Sequence, residues 1–312
     1  MLRFLEGAPV ADKLRSMKEA IADTVKDGES VVIDGFTHLI CFAAGHEIIR
    51  QRRQDLTLVR LTPDLVYDQM IAAGCAKKLV FSWAGNPGVG SLHAMRRRTE
   101  SSAKDRLAIE EYSHFGLLSR FLAGAAGLPF WPLKNYNGCD IAKTNEAIKF
   151  IACPYTGETI ATVPALRPDV AVIHCQRADR EGNAQVWGLY GSQKESAFAA
   201  KKVIVVAEEI VDTQVIRRDP NRTIVPGIIV RHVVHEPFGA HPSYVQGYYD
   251  RDNDFYVAWE DISRDEAKYQ AYLEEFVYGV KGRAEYKQKM DAGVLAKLKA
   301  KPRMSEGVDY GY

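Results

Sequence analysis

The amino-acid sequence predicts an α/β fold in which an open, mostly parallel sheet is flanked by helices. Short apolar runs of strand length alternate with helix-length segments along the chain. After the first strand, the strongest runs are "VAVIHC" and "KVIVVAEEI", which are typical of strands buried in the middle of a parallel sheet. Between these two runs, the segment "SQKESAFAAKK" suits a crossover helix.

The first elements follow from the spacing of apolar residues. Residues 12–27 are predicted as an amphipathic helix, because apolar residues recur at three- and four-residue steps and Gly28 stands where a helix C-cap would. A buried strand follows at 30–33, and "AAGHEIIRQ" is helical in pattern. The next predicted elements are a strand at 56–62, a helix at 64–74 with Asp64 as its N-cap, and a strand at 77–83.

The same alternation continues beyond the glycine-rich segment 84–90. The later predicted elements are a strand at 107–113, a helix at 115–127, a proline-limited loop at 128–133, strands at 170–175 and 202–210, and a crossover helix at 192–202. Residues 236–256 are dense in Gly, Pro and Tyr, which predicts an ordered loop. No linker divides the chain, so we predict a single domain over 1–312, with surface helices from about 263 to 300.

Composition excludes several classes of function. The chain has 41 basic and 40 acidic residues among 312, and this balance gives no electrostatic reason to expect nucleic acid or an anionic membrane as a partner. No apolar stretch approaches the roughly 20 residues of a membrane span. Five cysteines without a C-x-x-C pair predict reduced thiols in a cytoplasmic protein. The pair His232 and His235 lacks an acidic third ligand, so no metal site is predicted.

The first candidate site lies where the run "VVID" stops at Gly35 and Phe36. In open parallel sheets, ligands bind beyond the carboxyl ends of the strands. A glycine at that position lets main-chain N–H groups approach a ligand, and such groups can hold a developing oxyanion. Taken alone, a single glycine favours an ordinary strand-to-helix turn.

Two further segments have the composition of a binding site. "AGNPGVGSLH", residues 84–93, matches neither nucleotide-phosphate motif and fits a rigid turn, either lining a pocket or purely structural. In "EEYSHFG", the adjacent Glu110 and Glu111 point to opposite faces of a strand, so they do not form a paired-carboxylate site. Ser113 and His114 are neighbours in sequence, which does not make them a nucleophile and its base.

Read together, these segments resemble the α (A) subunit of family I CoA-transferases, in the glutaconate and 3-oxoadipate branch. The resemblance runs in order from about residue 12 to about residue 290. The segments that carry it are "GFTHLICFAAGHEIIRQ", "LVRLTPDLVYDQMIAAGCAKKLVFSWAGNPGVGSLH", "IEEYSHF", "AGAAGLPF", "RPDVAVIHCQRADREGNAQVWG", "AAKKVIVVAEEIV" and "FGAHPSYVQGYYDRDN".

The resemblance implies a heteromeric enzyme built from two related α/β subunits. It implies a ping-pong reaction in which a glutamate carboxylate attacks an acyl-CoA thioester and the enzyme then carries CoA as a glutamyl thioester. In this branch the nucleophilic glutamate belongs to the β subunit, and no matching motif occurs in this chain. Coenzyme A and a small carboxylic acid are then substrates, and no permanently bound cofactor is expected.

The resemblance also assigns roles to individual residues. It implies that main-chain N–H groups at Gly35 and Phe36 stabilise the oxyanion, although this chain has Asp34 where many relatives have glycine. It places "GNPGVG" in the acyl pocket near the subunit junction. The substrate-binding candidates are Thr37, Asn86, Pro87, Gly88, Gly90, Glu110 and Glu111. Arg60, Arg96 and Arg120 are candidates for holding a distal carboxylate, although arginines are most often found at the surface.

Two alternatives remain within the same fold. Some steroid-ring-cleaving hydrolases resemble these transferases and are expected to use a glutamate of the α-type subunit just before the helix that leads into "LPF". This chain has His114 there, with Glu110 and Glu111 a few residues earlier, which favours the transferase. His114 is then a candidate for orienting an acid or moving a proton. The second alternative is a binding protein that keeps the fold without chemistry.

Overall fold

The computed structural model describes residues 12–102 and 106–300. The strands are β1 Ser30–Asp34, β2 Leu56–Val59, β3 Ala76–Phe81, β4 Ala108–Glu111, β5 Phe130–Leu133, β6 Lys149–Ala152, β7 Thr159–Pro164, β8 Val170–Ala178, β9 Ala184–Gln185, β10 Lys202–Ile210, β11 Thr223–Val225 and β12 Val230–His235.

The α-helices are α1 Met17–Thr24, α2 Phe42–Arg50, α3 Leu65–Ala72, α4 His93–Glu100, α5 His114–Ala125, α6 Ile141–Thr144, α7 Gln193–Ala199, α8 Thr213–Arg218, α9 Asn253–Arg264, α10 Glu266–Leu273, α11 Arg283–Gln288 and α12 Ala292–Lys297. Short 3₁₀ turns occupy Pro220–Arg222 and Gly227–Ile229, and a π-helical turn occupies Glu274–Tyr278. Within the described ranges, no helix is both long enough and apolar enough to span a bilayer.

The predicted open, mostly parallel sheet is confirmed. Seven parallel strands lie side by side in the order β12-β10-β8-β1-β2-β3-β4. The short strands β9 and β11 extend the far end of β8 in antiparallel fashion. Val31 and Ile33 face one apolar cluster and Val32 faces the other, so β1 is buried on both sides of the sheet.

The first predicted helix is shorter than its apolar periodicity indicated. Ser16 caps the N-terminus of α1 in a capping box with Glu19, so the helix begins at Met17. Leu14 instead forms a β-bridge with Val233 of β12, so residues 13–15 pair with that strand and do not belong to the helix. The C-cap is Val25, and Gly28 lies in the turn beyond it, so the prediction for Gly28 was wrong.

The predicted loop at 128–133 is wrong for its last four residues, which form β5. This strand pairs with β7 in a separate antiparallel sheet ordered β5-β7-β6. Pro132 is compatible with β5 because the strand lies at the edge of that sheet, where one side of the backbone needs no partner. The proline therefore marked an edge strand and not the absence of a strand.

The C-terminal region is helical as predicted, yet it is more than a surface layer. Tyr269, Leu273 and Val277 are almost fully buried and join the same apolar cluster as α1 to α3. Trp259 of α9 packs edge-on against the ring of Tyr272. The loop predicted at 236–256 is irregular as far as residue 252, and its last four residues already belong to α9.

Candidate active site

A cavity of about 260 Å³ lies beyond the carboxyl ends of four neighbouring parallel strands. Its lining comes from segments that follow β1, β2, β3 and β4 in turn. The lining residues are Phe36, Thr37, Arg60, Thr62, Asp64, Trp83, Pro87, Gly88 and His114. This is the position at which open parallel sheets bind ligands. Six of the predicted candidates meet here: Phe36, Thr37, Arg60, Pro87, Gly88 and His114.

The backbone after β1 is strained where it borders the cavity. Gly35 has φ 149°, and the non-glycine residues Thr37 and Leu39 have φ 55° and 58°. A β-branched residue such as Thr37 rarely adopts a positive φ, and such strain tends to persist at functional sites. A Cβ atom added to Gly35 would lie 2.6 Å from the carbonyl oxygen of His38. Glycine is therefore required at position 35.

Two main-chain donors in this strained loop are available to a ligand. The N–H of Gly35 donates to Asp34 Oδ1 at 2.7 Å, so it is already used. The N–H groups of Phe36 and Thr37 donate to no acceptor among the described residues. Thr37 has positive φ and Phe36 does not, and such a change in the sign of φ also occurs in anion-binding nests of successive N–H groups. The loop can therefore receive negative charge through Phe36 and Thr37.

Asp34 fastens the loop to the helix behind it. Its Oδ2 atom accepts hydrogen bonds from Ser192 Oγ at 2.6 Å and from Ser196 Oγ at 3.1 Å. Burial raises the pKa of Asp34, while the hydrogen bonds from Ser192 and Gly35 act in the opposite direction. This carboxyl group is fully engaged within the protein and faces away from solvent.

Arg60 lies in the cavity wall with only 1% of its surface exposed. Its Nη1 atom donates to Asp64 Oδ1 at 3.0 Å, and its Nη2 atom donates to the carbonyl oxygen of Gly35 at 2.8 Å. Arg120 is also buried, where it pairs with Glu110, so a surface location was wrong for both arginines. Arg96 is exposed and pairs with Glu100. Of the three candidate arginines, Arg60 alone lines the cavity.

His114 enters the cavity from the first residue of α5. Ser113 precedes it as the N-cap and accepts a hydrogen bond from the Gly116 N–H. The Ser113 N–H donates to the hydroxyl of Tyr136, which fixes the entry of the helix. His114 itself is exposed at the cavity rim, where an imidazole can reach a bound ligand.

The structure does not bring Glu110 and Glu111 into this cavity. Glu110 pairs with Lys78 and Arg120 and accepts a hydrogen bond from the Tyr112 hydroxyl. Hydrogen bonds from Lys78 and Tyr112 hold the pKa of Glu110 below its usual range, against the opposing effect of burial. Glu111 is exposed. Both glutamates line a separate cleft of about 330 Å³ at the edge strand β4.

Asn86 and Gly90 support the cavity without lining it. The buried Asn86 side chain donates to the carbonyl oxygen of Tyr256 in α9 at 2.7 Å. The Asn86 N–H donates to the carbonyl oxygen of Gly90 at 2.8 Å, which closes the turn, and an added Cβ on Gly90 would collide with Glu260. The turn is thereby fixed against α9, and this contact presents Pro87 and Gly88 to the cavity.

Three lining residues were not among the sequence-derived candidates for substrate binding or catalysis. Thr62 and Asp64 follow β2, and Trp83 follows β3. The signal that identified Gly35, a position just beyond a strand end, applied equally to these residues. Trp83 is 44% exposed, so part of its ring is open to a ligand in the cavity.

His38 supports the loop from behind. Its Nδ1–H donates to the carbonyl oxygen of Leu189 at 2.9 Å, and its Nε2 accepts the N–H of Gln246 at 3.0 Å. Burial lowers the pKa of His38 to about 4, so the ring is neutral near pH 7. The members of the predicted histidine pair have separate partners: His232 pairs with Asp23, whereas His235 contacts the carbonyl oxygen of Glu208.

Comparisons with known proteins identify the family and the fold. The family model described as Coenzyme A transferase matches residues 14–236. The chain is 52% identical to the A subunit of 3-oxoadipate CoA-transferase from Pseudomonas knackmussii, over 90% of this chain and 99% of that protein. It is 33% identical to the A subunit of glutaconate CoA-transferase from Acidaminococcus fermentans, over 95% of this chain and 98% of that protein. The crystal structure of glutaconate coenzyme A-transferase from the same organism matches with a TM-score of 0.87 at 33% identity, covering 93% of this chain and 96% of that one.

Proposed function

This chain belongs to the coenzyme A transferase family, and from that premise we propose that it is the α-type half of a heteromeric CoA-transferase whose other half is a β subunit. The enzyme moves coenzyme A between an acyl-CoA and a small carboxylic acid. One observation carries the proposal: the cavity is lined by Phe36 and Thr37, whose main-chain N–H groups have no acceptor among the described residues, while the carboxylate in its described lining, Asp64, is committed to Arg60. The cavity is thus equipped to stabilise an oxyanion and needs a nucleophile from elsewhere.

We place that nucleophile, a glutamate, on the β subunit. Its carboxylate attacks the thioester carbonyl carbon, the C–S bond breaks, and CoA leaves as a thiolate. The thiolate then attacks the glutamyl carbonyl of the acyl-glutamyl anhydride, which releases the first acid and leaves CoA on the enzyme as a thioester. The incoming acid runs the same steps in reverse.

Each of these additions places negative charge on a carbonyl oxygen. The N–H groups of Phe36 and Thr37 are the donors that we assign to that oxygen, in place of the Gly35 N–H, which Asp34 occupies. Removing a single donor of this kind typically slows turnover by about 10²–10³-fold. Gly35 contributes through its backbone conformation, which no other residue can reproduce without a clash.

For the acid we propose a 3-oxo acid or a dicarboxylate. The 52% identity to a 3-oxoadipate CoA-transferase subunit favours 3-oxoadipate over glutaconate, whose transferase subunit is 33% identical. Trp83, Pro87 and Gly88 form an apolar part of the wall suited to the carbon chain of the acyl group. His114 at the rim is our candidate for orienting the acid.

An exchange assay tests the proposal. The chain is co-expressed with its β subunit, and CoA transfer from succinyl-CoA is measured to a panel of 3-oxo acids and dicarboxylates. We expect acceptor-dependent transfer that is fastest with 3-oxoadipate. Acceptor-independent cleavage of a carbon–carbon bond in a CoA-linked cyclic ketone would instead indicate a hydrolase, and a stable complex without either activity would indicate a binding protein.

A further inference from the structure

We propose that Arg60, held by Asp64, is a positioning residue that fixes the direction of the Phe36 N–H group. The inference rests on the proposed function and deepens it. It concerns how the main-chain donor is kept available, and it assigns a role to a buried ion pair in the cavity wall.

The geometry of one peptide group carries the inference. The Gly35–Phe36 peptide is trans, so the Gly35 carbonyl and the Phe36 N–H point in opposite directions. Arg60 Nη2 binds that carbonyl oxygen at 2.8 Å. As long as this bond is intact, the carbonyl oxygen stays on the side of Arg60, and the N–H is held on the opposite side of the peptide.

Such a clamp is needed because the peptide follows a glycine. Gly35 has no side chain to resist rotation about its ψ angle, so the plane of the peptide that follows depends on contacts such as the one with Arg60. A turned peptide would put the carbonyl oxygen where the N–H had been. The partial negative charge of that oxygen would then repel the oxyanion that the N–H is meant to stabilise.

Arg60 is itself held rigidly. One arm of its guanidinium binds Asp64 at 3.0 Å, the other binds Gly35, and the group lies over the ring of Tyr67. The Tyr67 hydroxyl donates to the carbonyl oxygen of Val59 at 2.8 Å, and this contact anchors the ring to β2. A planar fork can serve two acceptors at fixed directions, whereas a lysine ammonium is a single point of charge. Lysine should therefore not replace Arg60.

The test uses the reconstituted enzyme and the variants Arg60→Lys and Arg60→Gln. We expect kcat and the single-turnover rate of enzyme–CoA thioester formation to fall by about 10²–10³-fold, the range for loss of an oxyanion donor. We expect KM for acyl-CoA to change little, because the Phe36 N–H acts on charge that develops in the transition state. Arg264→Gln is the matched control, since Arg264 forms an exposed pair with Glu260 four residues away on α9.

A double variant separates positioning from folding. Arg60→Gln alone leaves Asp64 buried without its partner, which can prevent folding. Arg60→Gln with Asp64→Asn removes the ion pair as a unit, and we expect this enzyme to assemble yet remain slow. Crystals of it should show the Gly35–Phe36 peptide turned over.

The outcomes distinguish this inference from the proposed function. An inactive wild-type complex would contradict the proposed function. The positioning role would be overturned if the wild type is active and an assembled Arg60 variant keeps the wild-type kcat. It would also be overturned if such a variant is impaired in KM alone. Failure of all three variants to assemble would also overturn it, because Arg60 would then be a folding residue.

Discussion

At the scale of single residues, the loop after β1 explains why the site is built as it is. Strain is concentrated at Gly35, Thr37 and Leu39, and it leaves two N–H groups for a ligand. The importance of Gly35 could be predicted from sequence, because a glycine follows a buried strand. Which N–H groups are available could not be predicted from sequence. That assignment depends on two hydrogen bonds, from the Gly35 N–H to the Asp34 side chain and from Arg60, just after β2, to the Gly35 carbonyl oxygen.

Gly35→Ala tests the steric requirement at this position. The added methyl group would lie within 3 Å of two main-chain carbonyl oxygens, so the loop has to move. We expect the free energy of unfolding to fall by roughly 3 kcal/mol or more, with loss of transferase activity. Urea unfolding of the isolated chain measures the stability.

Gly28→Ala is the matched control for that variant. Gly28 also has a positive φ, 81°, but nothing lies within 4 Å of an added Cβ. We therefore expect Gly28→Ala to lower the free energy of unfolding by only about 1–2 kcal/mol, the cost of a left-handed backbone conformation for a residue with a Cβ atom, and to retain activity. Equal destabilisation by the two substitutions would show that the carbonyl contacts at Gly35 do not matter.

At the scale of elements, periodic segments were predicted well and irregular ones poorly. The central strands β1, β8 and β10 are apolar on both faces and need no context to be recognised. β12, "VRHVVH", was missed because polar side chains interrupt its apolar run. All four residues of β6 are exposed, so its sequence carries no burial pattern.

Asp68 illustrates how elements are joined by a buried polar group. This α3 residue accepts the N–H of Met95 at 2.8 Å and so satisfies a free donor in the first turn of α4. Burial raises the pKa of Asp68 from its ordinary value of 3.8 to about 7. The stability contributed by its protonated form is complete below pH 3.8 and is lost as the pH rises through 7.

Asp68→Asn removes this titration while keeping an acceptor for Met95. We expect the stability of the variant relative to wild type to increase by about 2–3 kcal/mol between roughly pH 5 and pH 7, since one pKa unit corresponds to about 1.4 kcal/mol. Urea unfolding at both pH values gives this difference. If the difference in stability between variant and wild type is the same at pH 5 and pH 7, Asp68 is ionised in the folded protein over this whole range.

At the scale of the whole molecule, the sequence indicated the family and the need for a partner, but not which surface meets it. Bulky apolar side chains remain exposed in and beside the cavity: Phe36 at 38%, Trp83 at 44% and Phe115 at 51%. Contiguous exposed apolar groups commonly mark interaction surfaces. We infer that the β subunit covers the carboxyl ends of β1 to β4, where the cavity lies. Its glutamate would then come close to the Phe36 and Thr37 N–H groups.

Phe115→Glu tests that placement. A charge buried at a subunit contact is costly, so we expect the affinity for the β subunit to fall by at least about tenfold. Ile228→Glu is the control: Ile228 is 91% exposed just before β12, at the opposite edge of the sheet. Co-purification and calorimetric titration of both variants give the comparison. A larger loss of affinity for the β subunit with Ile228→Glu than with Phe115→Glu would place the interface at the β12 edge of the sheet.

The most direct test of the account is to locate the covalent intermediate. The complex of both chains is incubated with acyl-CoA, and the enzyme–CoA thioester is reduced with borohydride and mapped by mass spectrometry. We expect the modified residue to be a glutamate of the β subunit. Arg60→Gln should slow formation of the thioester, and this chain alone should form none. A modified carboxylate in this chain, or full transferase activity of this chain by itself, would contradict the account.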